Sequence, residues 1–329
     1  MPVPSPLHPV PAVLSLIGHT PLIPLRFGPE GVVIHAKCEF TNPSGSIKDR
    51  LALTVLRDAM RRDVIRPDSI ILECTSGNTG ISLAMVGAAL GLRVKILMSD
   101  TASIERRHLV RHFGAELELF RATRGYLTGI ELSRAMAAAD ARYFLPRQFE
   151  NPLNARDHED NTGPEIVAQM QRPVDAFVSG FGTGGTLTGI GRALKQHNPA
   201  VQIIAMEPAE AAMLAGEMPC CHAIEGVSGG FVPPLLVNAP IDRHVKVNSS
   251  EAIAMTRRLA REFGLLVGTS SGANVAAAVG VAQKLGPAAQ VVTILCDRAE
   301  RYYSTSLFET AKPGRAPAPE WDHSFAIGL

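Results

Sequence analysis

The sequence predicts an α/β protein of two lobes, each with a central, mostly parallel twisted sheet flanked by helices. Three observations carry this. Short β-branched runs alternate with Ala/Leu-rich stretches of helical spacing along most of the chain. Four Gly-rich stretches fall between such a strand and the helix after it. And 46% of the 329 residues are hydrophobic, enough for one large or two intimate cores.

The elements follow in order. "GVVIHAKCEF" reads as a strand and "KDRLALTVLRDAMRRD", with apolar residues at helical spacing, as a helix. Then come strand "SIILEC", helix "GISLAMVGAALG", strand "RVKILMS", helix "SIERRHLVRHFGA", strand "ELELF", helix "TGIELSRAMAAAD" and strand "RYFLP". Further on, "DAFVSG", "VQIIAMEP" and "VVTILCD" are strands, with helices such as "GIGRALKQHN" and "NVAAAVGVAQKLG". The polar, Pro/Gly-punctuated "QFENPLNARDHEDNTGPE" reads as a crossing between lobes.

Composition excludes several classes. Charges nearly cancel, at 32 basic and 31 acidic residues, and no basic tract appears, which argues against nucleic acid and anionic membrane as partners. No apolar run reaches membrane-spanning length. The five cysteines are scattered without a CxxC, so neither a disulfide framework nor a metal site is expected, and a reducing cytoplasm fits. The Pro-rich start "MPVPSPLHPVPAV" lacks the charged and apolar regions of a signal peptide.

Lysine is scarce. Only seven occur, and one of them, Lys48, stands between the Gly/Ser turn "NPSGS" and an apolar helix. A lysine after a turn is ordinarily a solvated surface residue. Desolvated in a pocket, it loses proton affinity and becomes an imine-forming nucleophile. "GFGTGGTLTG", Gly180 to Gly189, lacks the lysine of a Walker loop and the acidic partner of a dinucleotide fingerprint. It is either a plain turn or a phosphate cradle; Thr183, Thr186 and its place at a helix start count for the cradle. "TSGNTG", Thr75 to Gly80, is a capped helix start or a carboxylate site, and "GTSSGAN" has the same two readings. Phosphate loop, carboxylate loop and buried amine together match one cofactor, pyridoxal phosphate.

In order along residues 12 to 310, "IGHTPLIPL", "NPSGSIKDR", "TSGNTGISLAM", "SIERR", "QFENPLN", "TGPEI", "GTGGTLTGIGR", "GTSSGAN" and "CDRAERYYSTSLF" resemble the cysteine synthase group of pyridoxal-phosphate β-replacement enzymes. The resemblance implies fold type II, as in the tryptophan synthase β chain. It implies a larger phosphate-binding lobe (12–40 and 151–310), a smaller mobile carboxylate-binding lobe (41–150) and tails at 1–11 and 311–329. Lys48 would hold the cofactor and act as base on the substrate α-carbon. Asn78 would bond the cofactor's ring oxygen, Gly182, Thr183, Gly184, Gly185 and Thr186 its phosphate, and Ser270, preferred to Ser271, its pyridine nitrogen. Thr75, Ser76, Asn78, Thr79 and Gln148 would bind the substrate, the carboxylate gripped by Thr75, Ser76, Thr79 and Gln148. Ser228 of "EGVSGGF" would border the pocket for the second substrate.

The activity so implied turns O-acetylserine, or a similarly activated serine, into aminoacrylate and adds sulfide to give cysteine in a cytoplasmic homodimer. Rival readings are O-phosphoserine as donor, thiosulfate or an amine as nucleophile, a serine/threonine dehydratase of the same fold, and a silent binding module. Asp297 and Arg298 stand where cysteine synthase A types often carry Ser and Gly, and Arg298 is either an ion-pair member or a contact for a larger or anionic second substrate. Arg106 and Arg107 fit surface positions and partner contacts equally.

Overall fold

The computed structural model describes residues 11–28, 31–122, 125–217 and 220–309. The arm expected at 1–11, except Pro11, and the tail at 311–329 lie outside them. In chain order the elements are β1 (Leu22–Arg26), β2 (Val33–Cys38), α1 (Lys48–Arg61), β3 (Ile70–Cys74), α2 (Asn78–Leu90), β4 (Arg93–Ser99), α3 (Ile104–His112), β5 (Glu116–Phe120), α4 (Tyr126–Ala139) and β6 (Tyr143–Phe144). There follow α5 (Leu153–Asp157), a π turn (His158–Thr162), α6 (Gly163–Gln169), β7 (Ala176–Gly180), α7 (Gly185–His197), β8 (Gln202–Pro208), β9 (Arg243–Val247), α8 (Ser249–Phe263), α9 (Thr269–Leu285) and β10 (Val291–Leu295).

The protein is α/β, with two sheets. One is six-stranded, ordered β1-β2-β10-β7-β8-β9, and the other four-stranded, ordered β5-β4-β3-β6. Every pairing is parallel except the β1–β2 hairpin. Pro24 sits in β1, an edge strand, where its missing N–H costs no ladder bond. The central strands β7 and β10 are apolar runs buried on both faces, as a covered parallel sheet requires.

Helix α9 is buried from Thr269 to Ala282 on all sides, and its alanines and valines join β2, β7, β8 and β10 in the main core. On the other face, Leu187, Ile190 and Leu194 of α7 pack with Phe177, Ile203 and Ile294. Around the four-stranded sheet, Leu56 of α1, Ile81 and Leu83 of α2 and Val110 of α3 close over Ile71 and Ile96.

Several segments differ from expectation, among them β1 and β9, which were not read as strands. The crossing at 148–165 is largely helical: α5, the π turn and α6. Some of its polar residues point inward to partners, as Asp157 does in accepting from Thr54 at 2.7 Å, while Arg156, Asp160 and Asn161 are exposed, so polarity there does not by itself signal solvent. "GTSSGAN" follows α8 and an isolated bridge at Val267, not a strand. Helix α8 itself went unread, although "NSSE" is a capping box in which Asn248 and Glu251 each accept the other's N–H.

A buried ion network fixes the helix that begins at Lys48. Arg50 of α1 makes two bonds of 2.8 Å to Glu39 and bonds of 2.9 and 2.7 Å to Glu165 of α6. Lys37 of β2 donates to Glu165 at 2.7 Å and to the Thr20 carbonyl at 2.6 Å. The motifs "GHTPL", "KDR" and "TGPEI" thus meet in one cluster that positions α1.

Candidate active site

Loops at the carboxyl ends of β3 and β7 and the start of α9 converge on one cavity between the sheets. Lys48, Thr75, Ser76, Asn78, Thr79, Gln148, Gly182, Thr183, Gly184, Thr186 and Ser270 line it, as do Tyr126, Phe149, Phe181 and Cys296. Crevices at such strand ends are where open α/β sheets hold ligands.

Lys48 is the first residue of α1, held by its own N–H bond to Ser46 Oγ at 3.2 Å. Asp49 braces the preceding turn by accepting from the Ser44 N–H at 2.7 Å and from Ser82 Oγ at 2.6 Å. Among the described residues, the Lys48 amine has no hydrogen-bond or ion-pair partner. Burial lowers its pKa, against opposing pulls from Cys296, Asp297 and Glu39. A desolvated, uncommitted amine on a fixed stem is suited to covalent chemistry with a carbonyl.

The Gly182–Thr186 loop joins β7 to α7. Gly184 has φ +86°, a conformation that disfavours any side chain, and turns the chain into the first turn of α7. The backbone N–H groups of that turn, with the Thr183 and Thr186 hydroxyls, are disposed as an anion cradle, although the Gly185 N–H is already turned to Thr183 Oγ1 at 3.4 Å. Gly185 lies beneath the cradle rather than on the cavity wall. A Cβ on it would fall 2.3 Å from Asn154 Oδ1. That space lets Asn154 donate to Thr183 Oγ1 at 2.9 Å and to the Gln148 carbonyl at 2.8 Å, tying the cradle to the opposite wall. Thr186 Oγ1 in turn lies 3.2 Å from His158 Nε2, and burial holds His158 well below its ordinary pKa, in the neutral form.

At the start of α2 the donors are already divided. Thr79 Oγ1 donates to Gln148 Oε1 at 2.6 Å, and Gln148 Nε2 donates to the Cys74 carbonyl at 2.8 Å. The Thr79 proton is therefore spent on orienting Gln148, whose second Nε2–H is left for a ligand. Thr75 Oγ1 accepts from the Gly77 N–H at 3.0 Å and keeps its own proton. Glu73, pushed up to about 7 by burial, accepts from the Gln148 N–H at 3.1 Å and steadies that corner.

Ser270 and Ser271 diverge. Ser271 Oγ accepts from the Cys296 N–H at 2.8 Å, behind the cavity, whereas Ser270 lines it. Ser228, with φ +47°, donates its hydroxyl proton to the Ala211 carbonyl at 3.2 Å, while its neighbours Gly226, Val227 and Gly229 line the wall. Arg298 is exposed and donates to the Phe40 carbonyl at 3.1 Å; among the described residues it has no ion pair and no place on the cavity wall. Arg106 is buried, pairs with Glu225 at 3.0 Å and lies over the Tyr302 ring, while Arg107 caps the Asp100 carbonyl.

Sequence reasoning missed Tyr126, Phe149, Asn154, His158 and Cys296. Asn154 and His158 stood in the segment read as a polar crossing. Tyr126 opens a helix whose first turn carries no motif.

The site fits pyridoxal phosphate on structural grounds: one uncommitted amine, an N–H cradle at a helix start, and a hydroxyl, Ser270, on the wall of the same cavity. A family model for pyridoxal-phosphate dependent enzymes matches residues 13–297. A cysteine synthase of Staphylococcus aureus is 42% identical over 303 residues, covering 91% of this chain and 97% of that protein. The crystal structure of an O-ureido-L-serine synthase superposes with a TM-score of 0.87 at 43% identity, covering 92% of this chain and 96% of that one. An O-acetylserine-dependent cystathionine β-synthase from Helicobacter pylori gives a TM-score of 0.87 at 35% identity, covering 92% and 100%.

Proposed function

Since the chain belongs to the pyridoxal-phosphate dependent enzymes and is of the cysteine synthase type, we propose that it replaces the acetyl-oxy group of O-acetylserine with sulfide to give cysteine. One observation carries the reading. The only lysine on the cavity wall among the described residues is Lys48, and it lines the same cavity as the cradle and the clamp.

When bound, pyridoxal phosphate withdraws electrons from the α-carbon of an attached amino acid and so acidifies its C–H bond. The chain supplies the rest. Lys48 anchors the cofactor and then takes the α-proton on Nζ, an amine that burial holds more readily in its proton-free form than an exposed lysine. The Gly182–Thr186 cradle holds the phosphate through backbone N–H groups and the dipole of α7. Thr75, Ser76 and the free Nε2–H of Gln148 orient the substrate carboxylate, with Thr79 acting through Gln148. Ser270 offers the pyridine nitrogen a hydroxyl instead of a carboxylate. Residues 41–150 form the lobe that closes over the carboxylate, excluding water from the reacting carbon. The same reading takes the protein as a homodimer, for which the exposed Val13 and Leu16 offer an apolar surface, and places it in a reducing compartment, supported by its free cysteines.

The charge of the wall favours a donor whose β-substituent is uncharged while bound and departs with a single negative charge. Besides Lys48, its described residues are neutral, with Tyr126, Phe149 and Phe181 among them. A phosphate leaving from the β-carbon would be desolvated there with Lys48 as the one cation on the described wall, a penalty of several kcal/mol. Steady-state assays with each donor test this: kcat/KM for O-phosphoserine should fall about a hundredfold below that for O-acetylserine. Equal rates would sink the donor assignment. Pyruvate and ammonia as main products would replace β-replacement with deamination.

The cradle gives a second expectation. Gly185→Ala must displace Asn154, and overpacking of this kind costs about 1–3 kcal/mol. Titration of the apoprotein with pyridoxal phosphate should show affinity about ten- to a hundredfold weaker. Unchanged affinity would remove Asn154 from any part in holding the cradle.

A further inference from the structure

Asn78 lies at the seam between the two sheets, and its amide is held from both sides. Its Nδ2 donates to Asp297 Oδ2 at 2.6 Å, and its Oδ1 accepts from Arg301 Nη1. Asp297 and Arg301 follow β10, in the segment "CDRAER", so residues far apart in sequence grip one side chain.

The direction of the amide follows from the chemistry of its neighbours. A guanidinium has donors and no acceptor. Arg301 is further fixed by bonds of 2.8 and 3.0 Å to the Ser44 and Gly45 carbonyls, within the Lys48 turn. Asp297 Oδ2 accepts from Tyr302 Oη as well as from Asn78. It is an acceptor in either protonation state, since any proton would sit on Oδ1. A flipped amide would set oxygen against carboxylate and N–H against guanidinium, losing two charge-assisted bonds at once. Of the Asn78 protons one remains for the cavity it lines, the second Nδ2–H, while Oδ1 is turned to Arg301.

We infer that Asp297 and Arg301 are positioning residues that lock the Asn78 amide with its N–H side, not its oxygen, toward the cavity, so that the site favours the ionised ring oxygen of bound pyridoxal phosphate over its protonated form. The inference rests on the cofactor reading given above. It also assigns Asp297 a role distinct from that of Arg298 beside it, which turns outward.

The test uses the full-length protein reconstituted with pyridoxal phosphate, read by its visible spectrum and by cofactor affinity. Asn78→Leu should shift the absorption band and its pH dependence and weaken cofactor binding at least about tenfold. Asp297→Asn and Arg301→Gln, each of which lets the amide reverse, should reproduce part of that shift. Asp297→Asn should add nothing further in the Asn78→Leu background, because both act through one bond. That double variant separates the lock from a direct effect of Asp297 charge on Lys48. If Asp297→Asn does not fold, Arg301→Gln carries the test alone. A wild-type spectrum in a folded Asp297→Asn or Arg301→Gln protein overturns the inference and spares the cofactor reading, as does full additivity with Asn78→Leu. A wild-type protein that stays colourless with pyridoxal phosphate overturns both.

Discussion

Lys48→Ala should lower turnover by at least about a thousandfold while leaving the fold intact. The side chain takes part in no hydrogen bond or ion pair among the described residues, so its removal deletes no stabilising contact of that kind. What it deletes is the amine that anchors the cofactor and moves the α-proton, each worth orders of magnitude in rate. The two roles can be read separately. Borohydride reduction of the wild-type holoprotein, followed by digestion and mass spectrometry, should place the cofactor mass on the peptide bearing Lys48. The alanine variant should give no such peptide, yet should still bind pyridoxal phosphate non-covalently through the Gly182–Thr186 cradle. Small primary amines added to that variant should restore a fraction of the rate. Label found on Lys37, or undiminished turnover in Lys48→Ala, would refute the assignment.

Arg50→Met should be among the most destabilising single substitutions outside the cavity, at about 3–5 kcal/mol. Arg50 is 3% exposed and its partner Glu39 is fully buried, so the variant leaves Glu39 without its ion-pair partner and Glu165 with Lys37 alone. Arg50→Lys should recover only part of the loss, since an ammonium cannot reproduce the forked contacts to Glu39 and Glu165. Urea titration measures both, and a cost under about 1 kcal/mol for the methionine variant would show the network to be dispensable.

The same cluster predicts a pH signature. Burial pushes the Glu165 carboxyl up, but bonds and charge from Arg50 and Lys37 outweigh it and hold it at about 2. The folded value lies below the ordinary value of 4.5, so the unfolded chain binds the proton more readily. The contribution is complete above pH 4.5, declines as pH falls from there, and is gone below about 2. Arg50→Met should flatten that part of the wild-type profile. A parallel acid limb in both proteins would assign the loss to other carboxylates.

Much of the layout was legible because local signals agreed with the final arrangement. "RVKILMS" and "ELELF" became β4 and β5 at the very bounds read from them. Lys48 stood out because lysine is rare here and because a turn and an apolar helix bracket it. Motif glycines and threonines mark strand-to-helix turns wherever they occur, which put the cradle and the clamp in view. The bond from Ser228 to the Ala211 carbonyl was not legible, because a serine in a pocket-bordering loop has no local mark of which way its φ turns it. Asn154 and His158 were hidden for a related reason. Polar residues read as solvent-facing until something shows what they bond to, and their partners, Thr183 and Thr186, lie about thirty residues on.

By itself, then, the order of residues determined the parallel α/β class, the amine and the loops, since each depends on contacts within a few positions along the chain. Which donors remain free at the cavity was decided only by tertiary structure. Thr79 gives its proton to Gln148 across 69 positions, and Asn78 meets Asp297 across 219. A hydrogen-bonding group has a fixed number of protons and lone pairs, and how many are already used depends on neighbours that the chain supplies only when folded.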